Sequence, residues 1–281
     1  MRINTNVSSL TAQEAAQNTT KKITTSLEKL STGLRINKAS DDASGLAIAD
    51  KLRTQATSIN QGIANGNSAV ALLQIADKSM SEQSNILDTI KAKLIQANTD
   101  TTSADGRESI RKDIDKLLTQ LDNIAKQTNY NGTSLLQASS TSTAASSGLS
   151  FQVGEKAADT ITNGAIQSNT SGLGLGTLAG LAANGLTTSV ASAQQAIIDS
   201  AITTLNGYRG DIGSTQNQVE SAVRNLMTQA TNVTAAESII RDVDYAAESA
   251  NFNKQNIISQ AGSYAISQAN SVQQNVLRLL Q

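Results

Sequence analysis

Along most of this chain apolar residues recur at alternating steps of four and three, and no proline interrupts them. That period is the seam of a helix laid along another helix. Proline breaks a helix by removing an amide donor and clashing with the preceding turn, so nothing here limits helix length. The clearest run lies in 246–281, with Ile258, Gly262, Ala265, Ala269, Val272, Val276 and Leu279. From 255 to 277 there is no charge, yet Gln, Asn and Ser abound. A solvated helix normally carries Lys and Glu, and a membrane span would not carry so many amides. Such a helix fits a crowded assembly in which most faces meet other protein. The other end matches it. Ile3, Val7 and Leu10 step the same way, as do Ile23, Leu27, Leu30 and Leu34, and Glu14 is the only charge between 3 and 20. The two ends are therefore expected to pair.

Composition narrows the function. Hydrophobic residues make up 38% of the 281 and aromatic residues 2%, which suits thin seams between helices better than a thick core around large rings. Net charge is −1, with no basic stripe for nucleic acid. The absence of His and Cys removes His-based triads, thiol nucleophiles and the common zinc sites. No catalytic residue, metal or cofactor is expected. The adjacent Asp41 and Asp42 read as helix capping and loop solvation. There is no apolar leader and no stretch apolar enough to span a bilayer.

Taken in order, the pattern predicts a helix over 4–34 and a loop over 37–45, with Ser40 or Asp41 as the next N-cap. A long helix follows, with a seam from Leu52 to Ala97 that Asp77 breaches. A third carries Ile110, Ile114, Leu117, Leu121 and Ile124. Asn131-Gly132 marks a turn. Residues 139–147 read as an exposed Ser/Thr/Ala loop, 149–153 as a strand, and 160–166 as a hairpin about Asn163-Gly164. Helix returns near Ser192. The expected fold is mainly α: long antiparallel coiled-coil-like rods, paired terminal helices and a small β-hairpin region at the tip.

Several stretches carry a resemblance: Met1-Arg-Ile-Asn-Thr-Asn, Leu27-Glu-Lys-Leu-Ser-Thr-Gly-Leu-Arg-Ile-Asn, Ser40-Asp-Asp-Ala-Ser-Gly-Leu-Ala, Gln127-Thr-Asn-Tyr-Asn-Gly, Phe151-Gln-Val-Gly and Gln268-Ala-Asn-Ser-Val-Gln-Gln-Asn-Val-Leu. With these in this order the chain resembles the bacterial flagellins, in a short form without large outer domains. The resemblance implies a secreted, self-assembling subunit of the flagellar filament, used for swimming motility. It implies an inner-core domain from 1–42 and 241–281, and a rod domain from 43–240 with 138–190 as a reduced outward tip. It implies other copies of the chain as partners, a flagellar type III export apparatus, a secretion chaperone at the C-terminal helix, a hook-junction protein and a filament cap. A hook–filament junction adaptor or a secreted interaction protein is the alternative.

Two further expectations follow from the resemblance. The outward Ser/Thr loop offers Ser139, Ser140, Thr141, Ser142, Thr143, Ser146 and Ser147 for O-linked sugar. Flagellins detected by Toll-like receptor 5 present an Arg, a Glu and a Leu on the long rod helix, with an acidic residue on the next. The matching positions are Thr89, Ala92 and Lys93, with Asp113 as the acidic one. Thr lacks the planar donor fork of Arg, and Lys93 brings charge where an apolar chain is expected. Weak or absent binding is implied, as in flagellins of the Campylobacter and Helicobacter type.

Overall fold

The computed structural model describes residues 5–279, and side chains for 5–275. Its elements in chain order are α1 (Val7–Thr32), α2 (Ala43–Ala97), α3 (Ala104–Gln127), β1 (Asn129–Tyr130), β2 (Thr133–Ser134), β3 (Leu149–Gln152), β4 (Thr160–Asn163), α4 (Gly176–Ala179), α5 (Thr188–Arg241) and α6 (Tyr245–Leu279). Helices α2 and α5 run for 55 and 54 residues, the lengths a proline-free chain permits. Contacts divide the chain into two compact units, Met1–Ala56 with Thr231–Gln281, and Thr57–Ala230.

In the first unit α1 lies antiparallel to α6. Asn6, the N-cap of α1, accepts from the Ser9 amide, and its own amide donates to the Ala269 carbonyl at 3.1 Å. Farther along, the Ser26 hydroxyl donates to the Glu248 carboxylate. The connections leading out of α1 and into α6 are stapled together: the Val243 amide donates to Gly33 O at 3.0 Å and the Arg35 amide to Arg241 O at 2.6 Å. The Arg35 guanidinium also donates to Ile240 O at 2.6 Å, satisfying a carbonyl at the end of α5. Asp42, neither Ser40 nor Asp41, caps α2, because its Oδ1 accepts from the Gly45 amide at 2.8 Å. Asp41 instead closes the turn before it, accepting from the Asn37 and Lys38 amides. Those two bonds hold its carboxyl below the usual range.

In the second unit α2, α3 and α5 share one core. On α2, residues 93 and 83 meet 113 and 121 of α3, and 91 and 77 meet 199 and 209 of α5, so both helices run antiparallel to α2. Asp77, the breach in the α2 seam, is answered by Arg209 of α5 at 2.9 Å. Leu73, Met80, Leu87, Ile90 and Leu94 meet Ile114, Leu121, Ile198 and Leu205 in this core. On α3 the fully buried row is Ile110, Ile114, Leu118, Leu121 and Ala125, while Leu117 and Ile124 are only partly buried. The shift arises because α3 is covered on two sides. Leu135, Leu136, Ile166, Leu173, Leu175 and Leu178, from the segment between α3 and α5, fill the same core.

Apolar side chains of that segment therefore pack against the helices. Asn131 and Gly132 take φ of 49° and 83°, giving a tight hairpin of primed-turn character between β1 and β2. Asn163-Gly164 makes no hairpin. β4 pairs instead with β3, Phe151 opposite Ile161, across the loop 153–159. Asn163 is buried and accepts from the Thr215 hydroxyl, which carries the chain onward beside α5. The hairpin sits on α2 where that helix has no side chain to spare. A Cβ on Gly62 would lie 2.4 Å from Val153 O, and the Asn65 amide donates to Gln152 O at 3.1 Å.

Gly62→Ala is expected to lower the unfolding free energy by about 1–3 kcal/mol, because the opposing atom is backbone and cannot step aside. Gly207→Ala, where nothing lies within 4 Å, should raise it by up to about 1 kcal/mol. Thermal denaturation of both variants checks the pair.

Candidate assembly surface

Pairing of α1 with α6 is made by small and polar residues. On α1 the sheltered row is Ser9, Ala12, Ala16, Thr19, Ile23 and Ser26; on α6 it is Phe252, Gln255, Ser259, Gly262, Ile266 and Ala269. Both rows keep the four-three step. At Gly262 a Cβ would sit in ordinary contact with the Ala16 methyl, at 3.9 Å.

Most of the large apolar side chains are left outside, while Ile23, Leu30, Phe252 and Ile266 are half-buried. Val7, Leu10 and Leu27 on α1, and Ile257, Ile258, Tyr264 and Val272 on α6, are exposed, from 42% at Ile258 to 75% at Tyr264. Of the seam residues expected from the sequence, Ile23, Leu30, Leu34 and Ala269 are half-buried, while Val7, Leu10, Leu27, Ile258, Ala265 and Val272 face outward. Ile3 lies outside the described residues, as do the side chains of Val276 and Leu279. The reason for the difference is steric. Two helices approach more closely over Ala, Gly and Ser than over Leu and Ile, and hydroxyls can bond across the gap. Ile257 and Tyr264 were not anticipated, although Ile257, Ala261, Tyr264 and Gln268 make a four-three run of their own. Exposed apolar rows of this extent on a single chain mark interaction surfaces.

The receptor-window residues lie together on the second unit. Thr89 and Ala92 are exposed one turn apart on α2, with the Thr89 hydroxyl turned back onto Asn85 O. Lys93 reaches across to Asp113 of α3 at 2.9 Å. This bonded ammonium holds the Asp113 carboxyl below its ordinary range. Of the Ser/Thr candidates, Ser140, Thr141, Thr143 and Ser147 are exposed, and Ser139 and Ser142 half-buried. Ser146 leaves the group: it is buried, and its hydroxyl accepts from the Ile166 amide.

Also on α3, Arg111 grips Glu108 through two nitrogens, and reaches Asp115 and Leu181 O. Glu108 in turn accepts from the Asn184 amide at 2.8 Å. These bonds, that from Arg111 foremost, pull the Glu108 carboxyl from 4.5 down to about 2. Because its pKa is depressed by folding, the clamp's contribution is complete above about pH 4.5 and disappears as pH falls through about 2. Carbon-detected titration should place the Glu108 midpoint near 2, and Arg111→Met should return it toward 4.5.

Among the described residues no group of three or more Asp or Glu could hold a metal ion, and no helix is long and apolar enough to cross a membrane.

Comparison with known proteins places these features. The family model for the bacterial flagellin N-terminal helical region matches residues 3–141, and that for the C-terminal helical region matches 195–280. Flagellin of Bacillus subtilis is 36% identical over 303 aligned positions, spanning 100% of both chains. A 33 kDa flagellar filament core protein of Treponema phagedenis is 33% identical, again over 100% of both. Flagellin B of Helicobacter pylori is 49% identical over 138 positions, covering 49% of this chain and 27% of that one. Among solved structures, Bacillus cereus flagellin superposes with a TM-score of 0.51 at 31% identity, over 62% of this chain and 94% of that one. A putative flagellar hook-associated protein from Vibrio parahaemolyticus has a TM-score of 0.59 over 72% of this chain and 99% of that one, at 11% identity, which speaks to fold alone.

Proposed function

This chain belongs to the bacterial flagellins, and from that membership we infer that its terminal helices build the filament through the apolar rows they leave outward. The protein is a structural subunit of the extracellular flagellar filament. Flagellins are structural proteins, and we assign no catalytic role here. The observation that carries the assembly reading is the outward row from Val7 to Leu27 and from Ile257 to Val272, on helices whose stretches 7–20 and 255–277 carry no charge but Glu14. A surface of this kind is costly in water and is relieved when another copy covers it. The domain division follows: 1–42 and 241–281 form the inner core and 43–240 the rod, with 138–190 as its reduced outward tip. The export apparatus, a chaperone on α6 before assembly, the hook-junction protein and the cap are partners by the same reasoning.

Deleting 246–281 should leave a soluble helical monomer that does not polymerise. Val272→Asp is sharper. Val272 is 53% exposed, so the monomer's helical content should be unchanged, while a buried charge at a subunit contact should abolish filaments. Electron microscopy after salt-induced assembly decides it; normal filaments from either variant would overturn the reading.

Two further readings rest on position. Ser139, Ser140, Thr141, Ser142, Thr143 and Ser147 are offered for O-linked sugar, and an intact mass of native filaments equal to the bare chain would remove them. Toll-like receptor 5 is expected to bind weakly or not at all, since Thr89 and Ala92 lack the expected side chains and Lys93 is committed to Asp113. Reporter cells given monomer should respond weakly, and the Thr89→Arg, Ala92→Glu, Lys93→Leu triple variant should gain signal.

A further inference from the structure

The fully buried row of α2 reads Leu73, Ala76, Met80, Gln83, Leu87 and Ile90, at steps of three and four. One member is polar. Gln83 is 0% exposed and occupies the position between Met80 and Leu87 where the pattern calls for an apolar chain. Its Nε2 carries two hydrogens and uses them in two directions. One goes to Leu121 O of α3 at 3.1 Å, the other to Ser168 O of the segment before α4 at 3.0 Å. Its Oε1 is buried with no protein partner. An amide held this way costs desolvation that an apolar chain of similar volume would avoid. What it supplies is position. Sliding α3 by one turn would carry Leu121 O about 5.4 Å away from the hydrogen that meets it, while the other stays on Ser168 O outside α3.

The segment that Gln83 touches is itself knit by buried polar groups. The Asn169 amide donates to Gln137 Oε1 at 3.1 Å and to Thr143 O at 2.8 Å, and the Ser168 amide donates to Leu136 O. The outer run 136–143 is thereby tied to 168–169, and 168 is tied to α2.

We propose that Gln83 is a register pin: its amide fixes α2 against α3 and seats the outward segment 136–172 on both. A single polar residue in an apolar seam is the device that selects one alignment over its neighbours in coiled coils. The proposal concerns the single chain and stands apart from the filament reading.

The chain has no cysteine, so a pair can report register. Lys93→Cys with Asp113→Cys samples the native alignment, and Lys93→Cys with Lys116→Cys samples a slip of about one turn. With Gln83 present, a short thiol-reactive cross-linker on the full-length monomer should join 93 to 113 and leave 93 and 116 unlinked. In a Gln83→Met background, which keeps the volume and removes both donors, the 93–116 link should rise about tenfold. Amide exchange in 166–172 should quicken by about the same factor, with helical content by circular dichroism retained. Gln83→Asn, one methylene too short to reach both carbonyls, should act in the same direction and carries the test if the Met variant fails to fold. Native cross-linking and exchange in every folded variant would overturn the proposal.

Discussion

Between α1 and α6 the facing side chains are largely alanine, glycine, serine and threonine, and the rest of the molecule's behaviour follows from that choice. Small side chains bring the two helices close, but they remove little apolar area from water, and area is what stabilises a helix pair. The larger chains Val7, Leu10, Leu27, Tyr264 and Val272 are turned the other way. A pair built like this is a subunit of something larger. Its weak internal seam and its strong external rows are two consequences of one placement.

The second unit uses the opposite arrangement. There most Leu and Ile are sealed inside, with Ile75, Ile95 and Met227 left exposed, and charged side chains line the surface. Ion pairs such as Lys91 with Asp199, Lys93 with Asp113 and Arg209 with Asp77 cross between helices. Each is partly exposed and worth little alone. Their effect is on alignment, since a slipped helix would set charge against the wrong neighbour. The low aromatic content is met by folding the connecting segment 135–186 onto the helices, so that its leucines supply bulk that phenylalanine would supply elsewhere.

Some features were legible because they depend on neighbours in sequence. Asn131-Gly132 turns because both residues tolerate positive φ, and the structure shows 49° and 83°. The break between α2 and α3, and the helical character of both ends, rest on local pattern in the same way. Asn163-Gly164 carries an identical signal and makes no hairpin, because Thr215 and the β3 strand offered Asn163 better partners than a turn did. Ser146 looked like its exposed neighbours until Ile166 was laid over it. Gln83 carries no signal in the sequence, since a lone glutamine in a helix is ordinary; its meaning depends on the carbonyls of Leu121 and Ser168, 38 and 85 residues away.

From the sequence alone came the helical class, the absence of proline, the lack of thiol and imidazole chemistry, and the expectation that both ends serve assembly. Those follow from periodicity and composition, which act along the chain. Which face of each terminal helix turns inward was decided only in three dimensions. A four-three pattern says that a helix has a seam; where several overlap, as at Ile257 with Tyr264 and at Ser259 with Gly262, only steric fit against the partner helix selects one. The partner's alanines and serines chose the row of small residues, and the large ones were left for contacts outside the chain.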